Sequence, residues 1–441
     1  MNAMSVAAPP DARRRANTEL GLLILVILIV ACAYTLVGLA ESGMVPAGLL
    51  AYGGAMAAMA AVAHLVSRRL ARGADPLLLP LSFLLNGLGL VMVRRLDFAE
   101  ETSRAPAQTV WTVVAIAVFV LTLVAVRDHR LLDGYRYTIG ALSVAFLLMP
   151  LLPGVGKTVN GARIWLDLGS LSFQPGEVAK LGLVAFFASY LAEKRALLTV
   201  ATNRLGPLMV PPARAFGPIL VVWGISLAVL VFEKDLGLSL LVFGIFVAML
   251  YIATARLVYV VAGTALFAAG AFTAWTIFGH VQSRISTWLD PWSAYDDAGY
   301  QLAQSLFAIG TGGVFGVGLG QGRPDIIPEV GTDFIFAAFG EELGLLGATA
   351  LLLCYFLLVG RGFVVASRAR DDFGQLLAAG LTVIFGLQVF VILGGVTRLL
   401  PLTGVTLPFM SYGGSSLVAN YALVALLLRV SSKVAAAEAE S

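Results

Sequence analysis

Twelve apolar segments, joined mostly by short polar connections, constrain this chain more than any other feature. They cover residues 20–40, 48–67, 76–93, 109–126, 137–152, 177–192, 217–232, 236–253, 257–279, 333–360, 374–396 and 409–428. A helix needs roughly 17 to 25 mainly apolar residues to cross a hydrocarbon layer about 30 Å thick. The chain is 59% hydrophobic and 12% charged, more apolar than a soluble core could accommodate. We therefore predict an all-α, polytopic membrane protein with about twelve transmembrane helices.

The distribution of positive charge predicts the orientation, because cytoplasmic loops carry an excess of Lys and Arg. With the N-terminus inside, 19 of the 29 Lys and Arg residues lie on the cytoplasmic side, nine lie outside and Lys180 lies within a span. Both tails, 1–19 and 431–441, are then cytoplasmic. Two outer loops are long, 153–176 and 280–332.

Several function classes find no support in the sequence. The net charge of +3 is small and dispersed, which does not indicate a nucleic-acid partner. Cys32 and Cys354 both lie in apolar segments, so no disulfide framework or zinc site is encoded. The motifs of common soluble enzymes, such as the P-loop and HExxH, are absent. The segment 20–40 lacks a distinct cleavage site, and we interpret it as a retained helix.

The outer loop 280–332 contains an apolar stretch, residues 300–320, that could be mistaken for another span. Six glycines between Gly310 and Gly320 argue against a regular lipid-exposed helix, since each costs about 1 kcal/mol relative to alanine. We predict an interfacial or re-entrant segment within a large extracytoplasmic loop.

Ionisable residues at membrane depth are candidates for function, because they are expensive to place there. Asp333 follows Thr332, so we expect it in the first turn of a helix that Thr332 caps. The helix N-terminus would favour the ionised carboxylate, which could accept a proton. The alternative is that Asp333 merely starts the helix. Glu341 and Glu342 lie deeper in the same helix, and we expect them to make structural hydrogen bonds.

Two further groups of charged residues lie near the predicted outer surface. Glu177 and Lys180 are three residues apart, so they share a helix face, where they either pair or bind an anion. Glu233, Lys234 and Asp235 lie between two apolar segments, and their spacing favours a solvated corner of a helical hairpin.

A series of motifs resembles, in the same order, those of the SEDS proteins, the family of RodA, FtsW and SpoVE. They are NGARIWLDLG (160–169), FQPGEVAK (173–180), KDLG (234–237), GYQLAQS (299–305), PEVGTDFIF (328–336), GEELG (340–344), LPLTG (400–404) and SYGGSS (411–416). The resemblance predicts a glycosyltransferase core at 76–430. Residues 20–75 then form an additional helix pair in front of the ten helices typical of the family.

The resemblance implies a peptidoglycan glycosyltransferase of the bacterial cytoplasmic membrane. Such an enzyme polymerises lipid II at the outer face, with undecaprenyl pyrophosphate as the leaving group and inversion at the sugar. It works with a class B penicillin-binding protein and other proteins of the elongation or division complex. The short C-terminal tail and extended N-terminus favour a RodA-like role in elongation.

The resemblance also assigns site residues. The family's essential carboxylate matches Asp333, its functional lysine matches Lys180 with Glu177 as the acidic partner, and an acidic loop residue matches Asp325. Glycan extension needs a base for the attacking hydroxyl and positive groups for the departing pyrophosphate. The remaining substrate-binding candidates are Arg163, Gln301, Lys234, Asp235 and Arg398.

Three questions stay open in the sequence. A divalent cation, Mg or Mn, could assist a pyrophosphate leaving group, but no cluster of oxygen ligands identifies a site. A lipid II flippase and a non-catalytic scaffold of the cell-wall complex are the alternative functions. Arg163 is separated from Trp165 by Ile164, where the family often has an Arg-Trp pair, so the direction of its side chain is open.

Overall fold

The computed structural model describes residues 10–159, 162–167, 169, 172–199, 203–205, 208–210 and 213–439. The ends of both predicted tails, residues 1–9 and 440–441, and the first two residues of the NGARIWLDLG motif therefore lie outside the described residues. The helices are α1 (Pro10–Ser42), α2 (Leu49–Leu70), α3 (Leu78–Glu100), α4 (Arg104–Ala125), α5 (Arg130–Gly134), α6 (Arg136–Leu148), α7 (Pro175–Thr199), α8 (Ala213–Phe232), α9 (Leu236–Thr254), α10 (Leu257–Ile277), α11 (Gly279–Leu289), α12 (Tyr300–Gly312), α13 (Ile335–Arg368), α14 (Asp372–Val396) and α15 (Gly414–Ala439).

Each predicted span coincides with one of these helices. Among the described residues, nine helices are long and apolar enough to cross a membrane, namely α1 to α4, α9, α10, α13, α14 and α15. Helices α6 and α8 are shorter apolar helices, while α7 is 25 residues long but carries Glu177 and Lys180. The prediction of an all-α membrane protein is confirmed, and the chain is an integral membrane protein.

Helices α7, α14 and α15 form the centre of the bundle, and most of α14 and α15 is buried. Helix α15 packs on α4, α14 on α13, and α7 on α6. Tyr421 of α15 shows how tightly the core is filled, because its ring makes edge contacts with Phe83, Phe119 and Phe409 at centroid distances of 5.8, 6.4 and 5.2 Å. The additional pair, α1 and α2, lies outside α3 and α4.

Among the described residues, two small antiparallel sheets that the sequence did not predict interrupt the helical pattern. Strands β1 (Gly156–Val159), β2 (Ala162–Asp167) and β3 (Ser172–Phe173) pair in that order within the predicted outer loop 153–176. Strands β4 (Asn203–Leu205) and β5 (Leu208–Val210) form a hairpin between α7 and α8. The first sheet thus leads directly into α7, which carries Glu177 and Lys180.

The large loop 280–332 contains α11 and α12, and α12 is too short, at 13 residues, to cross a bilayer. The glycine-rich segment that follows it, residues 313–322, runs alongside an interruption of α13 at Gly344. Backbone hydrogen bonds join the two, from Val317 N to Glu341 O at 3.0 Å and from Leu345 N to Gly313 O at 2.9 Å. The interruption therefore attaches the outer loop to the helix that follows Asp333.

Candidate active site

Asp333 lies in a turn immediately before α13, not within the helix. The helix begins at Ile335, and the backbone N–H of Asp333 donates to the carbonyl of Glu329 at 3.2 Å. The hydroxyl of Thr332 donates to that same carbonyl at 3.1 Å. The prediction of a Thr332 cap with Asp333 in the first turn is therefore wrong, because the turn has engaged both groups before the helix starts.

Burial dominates the electrostatics of Asp333. Surrounding protein desolvates the carboxylate and raises its pKa from 3.8 to about 7, and the charge of Glu329 acts in the same direction. Arg284 opposes both by lowering the pKa. The side chain is still partly exposed, so substrate can reach it. A carboxylate with a pKa near neutrality is well matched to accept a proton from a sugar hydroxyl.

Arg284 is a site residue that the sequence analysis missed. It lies in α11, and its Nη1 donates to the carbonyl of Leu402 at 3.2 Å. Its charge lowers the pKa of both Asp333 and Asp235, so its guanidinium lies within electrostatic range of both carboxylates. The available signal was a single arginine in the short polar segment GHVQSRISTWL, directly after an apolar span.

Asp235 is the N-cap residue of α9 and lies within electrostatic range of Arg284. Its Oδ1 accepts a hydrogen bond from Leu238 N at 2.9 Å, and its Oδ2 accepts one from Gln174 Nε2 at 3.2 Å. Burial raises the pKa of Asp235, while Arg284 and Lys180 lower it. Asp235 thus interacts with Arg284, which also acts on Asp333, and with Lys180 of α7.

The predicted solvated corner at residues 233–235 is only partly correct. Lys234 is exposed and has positive φ, 63°, as the corner requires. Glu233, however, is buried, and burial raises its pKa to about 8. Its carboxyl oxygen Oε1 has no hydrogen-bond partner among the described residues, and this favours the neutral acid.

Glu177 and Lys180 form a buried pair on α7, as their spacing predicts. The ammonium of Lys180 donates to Glu177 Oε2 and to Gln388 Oε1, each at 2.7 Å, and the side chain is 1% exposed. Gln388 in turn donates to the carbonyl of Thr406 at 2.9 Å. Lys180 is therefore held inside the bundle by Glu177 and Gln388, and its charge lowers the pKa of Asp235.

Arg398 is engaged in a structural role. Its guanidinium donates to the carbonyls of Trp288 at 2.9 Å and Leu289 at 2.5 Å, which are the last residues of α11. A cation at a helix C-terminus stabilises both the free carbonyls and the helix dipole. In this conformation Arg398 holds α11 in place, and α11 positions Arg284.

Three other predicted substrate-binding residues, Arg163, Asp325 and Gln301, lie in the two outer loops. Arg163 of β2 donates from Nη2 to the carbonyl of Leu152 at 2.9 Å, so its side chain turns toward the end of α6. Asp325 accepts a bidentate interaction from the exposed Arg323 at 3.0 to 3.3 Å. Gln301 lies in the first turn of α12 and is partly exposed.

The part of the chain that the structure describes brings no three His, Cys, Asp or Glu side chains together as metal ligands. Arg284 lies within electrostatic range of both Asp333 and Asp235 and lowers the pKa of each. Among the residues that the structure describes, the side chains therefore form no cluster that would hold a metal ion alone. A divalent cation carried in with the pyrophosphate stays a prediction.

Comparison with known proteins shows the family. Residues 76–436 match the family model for FtsW, RodA and SpoVE, described as cell cycle protein. The chain belongs to this family. Peptidoglycan glycosyltransferase RodA of Mycobacterium tuberculosis (strain ATCC 25618 / H37Rv) is 48% identical over 433 residues, which cover 97% of this chain and 92% of that protein.

Solved structures of the family share its fold with this chain. One matching chain comes from a structure described as the structural coordination of polymerization and crosslinking by a peptidoglycan synthase complex. It matches with a TM-score of 0.65 and 29% identity, over 82% of this chain and 98% of the other. The crystal structure of Thermus thermophilus RodA, a rod shape determining protein, matches with a TM-score of 0.55 and 28% identity, over 81% and 96%.

Proposed function

We propose that this membrane protein polymerises lipid II into glycan strands at the outer face of the cytoplasmic membrane, with Asp333 as the general base. Its activity as a peptidoglycan glycosyltransferase follows from family membership and from 48% identity to a protein of that name over nearly the full length of both chains. The observation that supports the role of Asp333 is its raised pKa of about 7 beside Arg284.

The chemistry is a single displacement at the anomeric carbon of the donor. The hydroxyl of the acceptor sugar forms the new C–O bond, and Asp333 accepts its proton. The bond to the pyrophosphate breaks, and the lipid pyrophosphate leaves with the electron pair. Attack opposite the leaving group inverts the configuration. Arg284 is the cation available beside Asp333 to stabilise the negative charge that develops.

The outer location of the site is supported by charge. With 19 of 29 Lys and Arg residues in cytoplasmic segments, both termini lie in the cytoplasm and the loop 280–332 lies outside. Asp333 directly follows that loop, so it meets substrate on the extracytoplasmic side.

The partner is a class B penicillin-binding protein that crosslinks the strands, together with other proteins of the elongation complex. The similarity to a chain of a peptidoglycan synthase complex supports this assignment. The similarity to RodA over both chains favours elongation over division.

The test is polymerisation by the full chain, purified in detergent with its partner and supplied with lipid II. Asp333→Ala should abolish glycan synthesis while the protein keeps its monodisperse elution and melting temperature. Asp296→Ala is the matched control, because Asp296 is an exposed acid of the same outer loop. Unchanged polymerisation by Asp333→Ala would refute the assignment, and lipid II flipping without polymerisation would favour the transporter alternative.

A further inference from the structure

The additional helix α1 touches the segment of chain that leads to Asp333. Gly320 of the glycine-rich segment has φ +80°, and a Cβ there would lie 2.6 Å from Ala40 Cβ and 3.5 Å from Val37 Cα. Only glycine allows so close an approach. The matched family region begins at residue 76, so α1 lies outside the family core and yet packs against the outer loop of that core.

Arg95 of α3 joins this contact to two acidic residues. Its Nε lies 3.2 Å from Glu342 Oε1, and its Nη2 donates to the carbonyl of Gly322 at 2.9 Å. Its Nη1 lies 3.9 Å from Glu41 Oε1, near the end of α1. Arg95 is 7% exposed, so each of these interactions acts with little screening by solvent.

Helix α13 holds the same segment from its other side. Glu342 Oε2 accepts a hydrogen bond from Gly320 N at 2.8 Å, and Glu341 Oε1 accepts one from Arg323 N at 3.0 Å. Both carboxyl groups are buried. Charge-assisted hydrogen bonds to backbone N–H groups are among the stronger ones in proteins, so the segment has a defined position.

Helix α2 supports α1 at the same end. Tyr34 of α1 stacks on Tyr52 of α2 with ring centroids 4.5 Å apart, and the guanidinium of Arg94 lies 4.6 Å from the Tyr34 ring. Arg94 and Arg95 are consecutive in α3, so one turn of the family core contacts α1 through both a cation–π interaction and an ion pair.

Residues 323–332 separate this contact from Asp333. At the far end of this stretch, Ser411 donates from its hydroxyl to the carbonyl of Thr332 at 2.5 Å, and Tyr412 N donates to the carbonyl of Gly331 at 2.7 Å. The stretch is thus held at both ends, and it is the covalent connection between the Gly320 contact and Asp333.

We propose that the additional pair, α1 and α2, positions the outer loop 280–332 that leads to Asp333, acting through Ala40 and Glu41 on the glycine-rich segment. The inference rests on the proposed function for its effect on rate. Its effect on the loop itself does not depend on that function. Ala40 and Glu41 act through the glycine-rich segment and not on the reacting atoms, so they are positioning residues.

The first test enlarges the contact residue on α1. Ala40→Leu pushes the glycine-rich segment away, and we expect kcat for lipid II polymerisation to fall roughly tenfold to a hundredfold with KM close to unchanged. Hydrogen exchange should quicken at the amides of Gly320 and Arg323 and stay slow in α14. The matched control is Ala58→Leu, an exposed position on α2 that should change neither quantity.

A second variant tests the charge without changing shape. Glu41→Gln should quicken the same amides and lower kcat, and Glu41→Asp should restore part of both. Unchanged exchange in residues 313–323 of Ala40→Leu and Glu41→Gln would overturn the inference, as would an equal loss of rate in Ala58→Leu. If instead Asp333→Ala kept its activity, the proposed function would fail while the exchange measurement would still decide this inference.

Discussion

Arg284 and Asp333 both approach Gly404: a Cβ on Gly404 would lie 3.8 Å from Asp333 Oδ2 and 3.9 Å from Arg284 Nη2. Gly404 has φ +76°, a backbone conformation that L side chains rarely adopt. The missing side chain leaves room between a proton acceptor and a cation. An attacking sugar hydroxyl needs a proton acceptor, and a departing pyrophosphate needs a cation.

Arg284→Met should shift the pH dependence of polymerisation. Arg284 lowers the pKa of Asp333, so its removal raises that pKa and moves the rising limb of the rate to higher pH. Arg284→Lys should retain most of the original profile. Rates measured from pH 5 to 9 decide this, with Lys157→Met on exposed β1 as control. An unshifted profile with a lower plateau would assign Arg284 to substrate binding alone.

The rate of the unaltered protein should rise with pH through about 7, because the base is the ionised form of Asp333. Stability should show the opposite trend. The folded pKa lies above the usual 3.8, so the stabilising contribution of the protonated form is complete below about 3.8 and is lost as the pH rises through about 7.

Asp333→Asn should remove this loss of stability. Its melting temperature in detergent, compared with that of the unaltered protein, should therefore become relatively higher between pH 4 and pH 8. A difference that stays constant over this range would contradict a raised pKa at Asp333.

Lys180→Met should destabilise the fold strongly. It leaves the Glu177 carboxylate buried without its 2.7 Å partner, which typically costs about 3 to 5 kcal/mol. The double variant Glu177→Gln, Lys180→Met should recover much of that loss. Lys194→Met breaks a more exposed pair on the same helix and should cost less than about 1 kcal/mol. Unfolding in detergent measures all three, and equal losses would argue against a structural role for Lys180.

Gly344→Ala should disrupt the interruption in α13. The backbone there has φ 65° and ψ −167°, and a Cβ would lie 2.2 Å from Gly316 N. We expect a loss of about 2 kcal/mol or more, because both the conformation and the contact exclude a side chain. Gly360→Ala lies in the same helix, where no atom of the described residues comes within 4 Å of the added Cβ, and should be neutral or slightly stabilising. A Gly344→Ala protein as stable as Gly360→Ala would refute this account.

Some of the site was predictable because its signals are local. The spacing of Glu177 and Lys180 places them on one helix face, and the structure pairs them. The position of Asp333, between a polar loop and an apolar span, identified it as a candidate. The prediction that the start of α13 would favour the ionised carboxylate was wrong. Asp333 precedes the helix, and burial raises its pKa.

The sequence by itself determined a helical membrane protein, the positions of its spans and the end of the bundle where charged residues collect, since hydropathy and helix periodicity are properties of neighbouring residues. Only the tertiary structure decided that Arg284 lies near Asp333, that Arg398 donates to the last carbonyls of α11, and that α1 contacts Gly320. Those contacts join segments far apart in the chain. They depend on how helices pack and where glycine lets backbones approach, which no local pattern records.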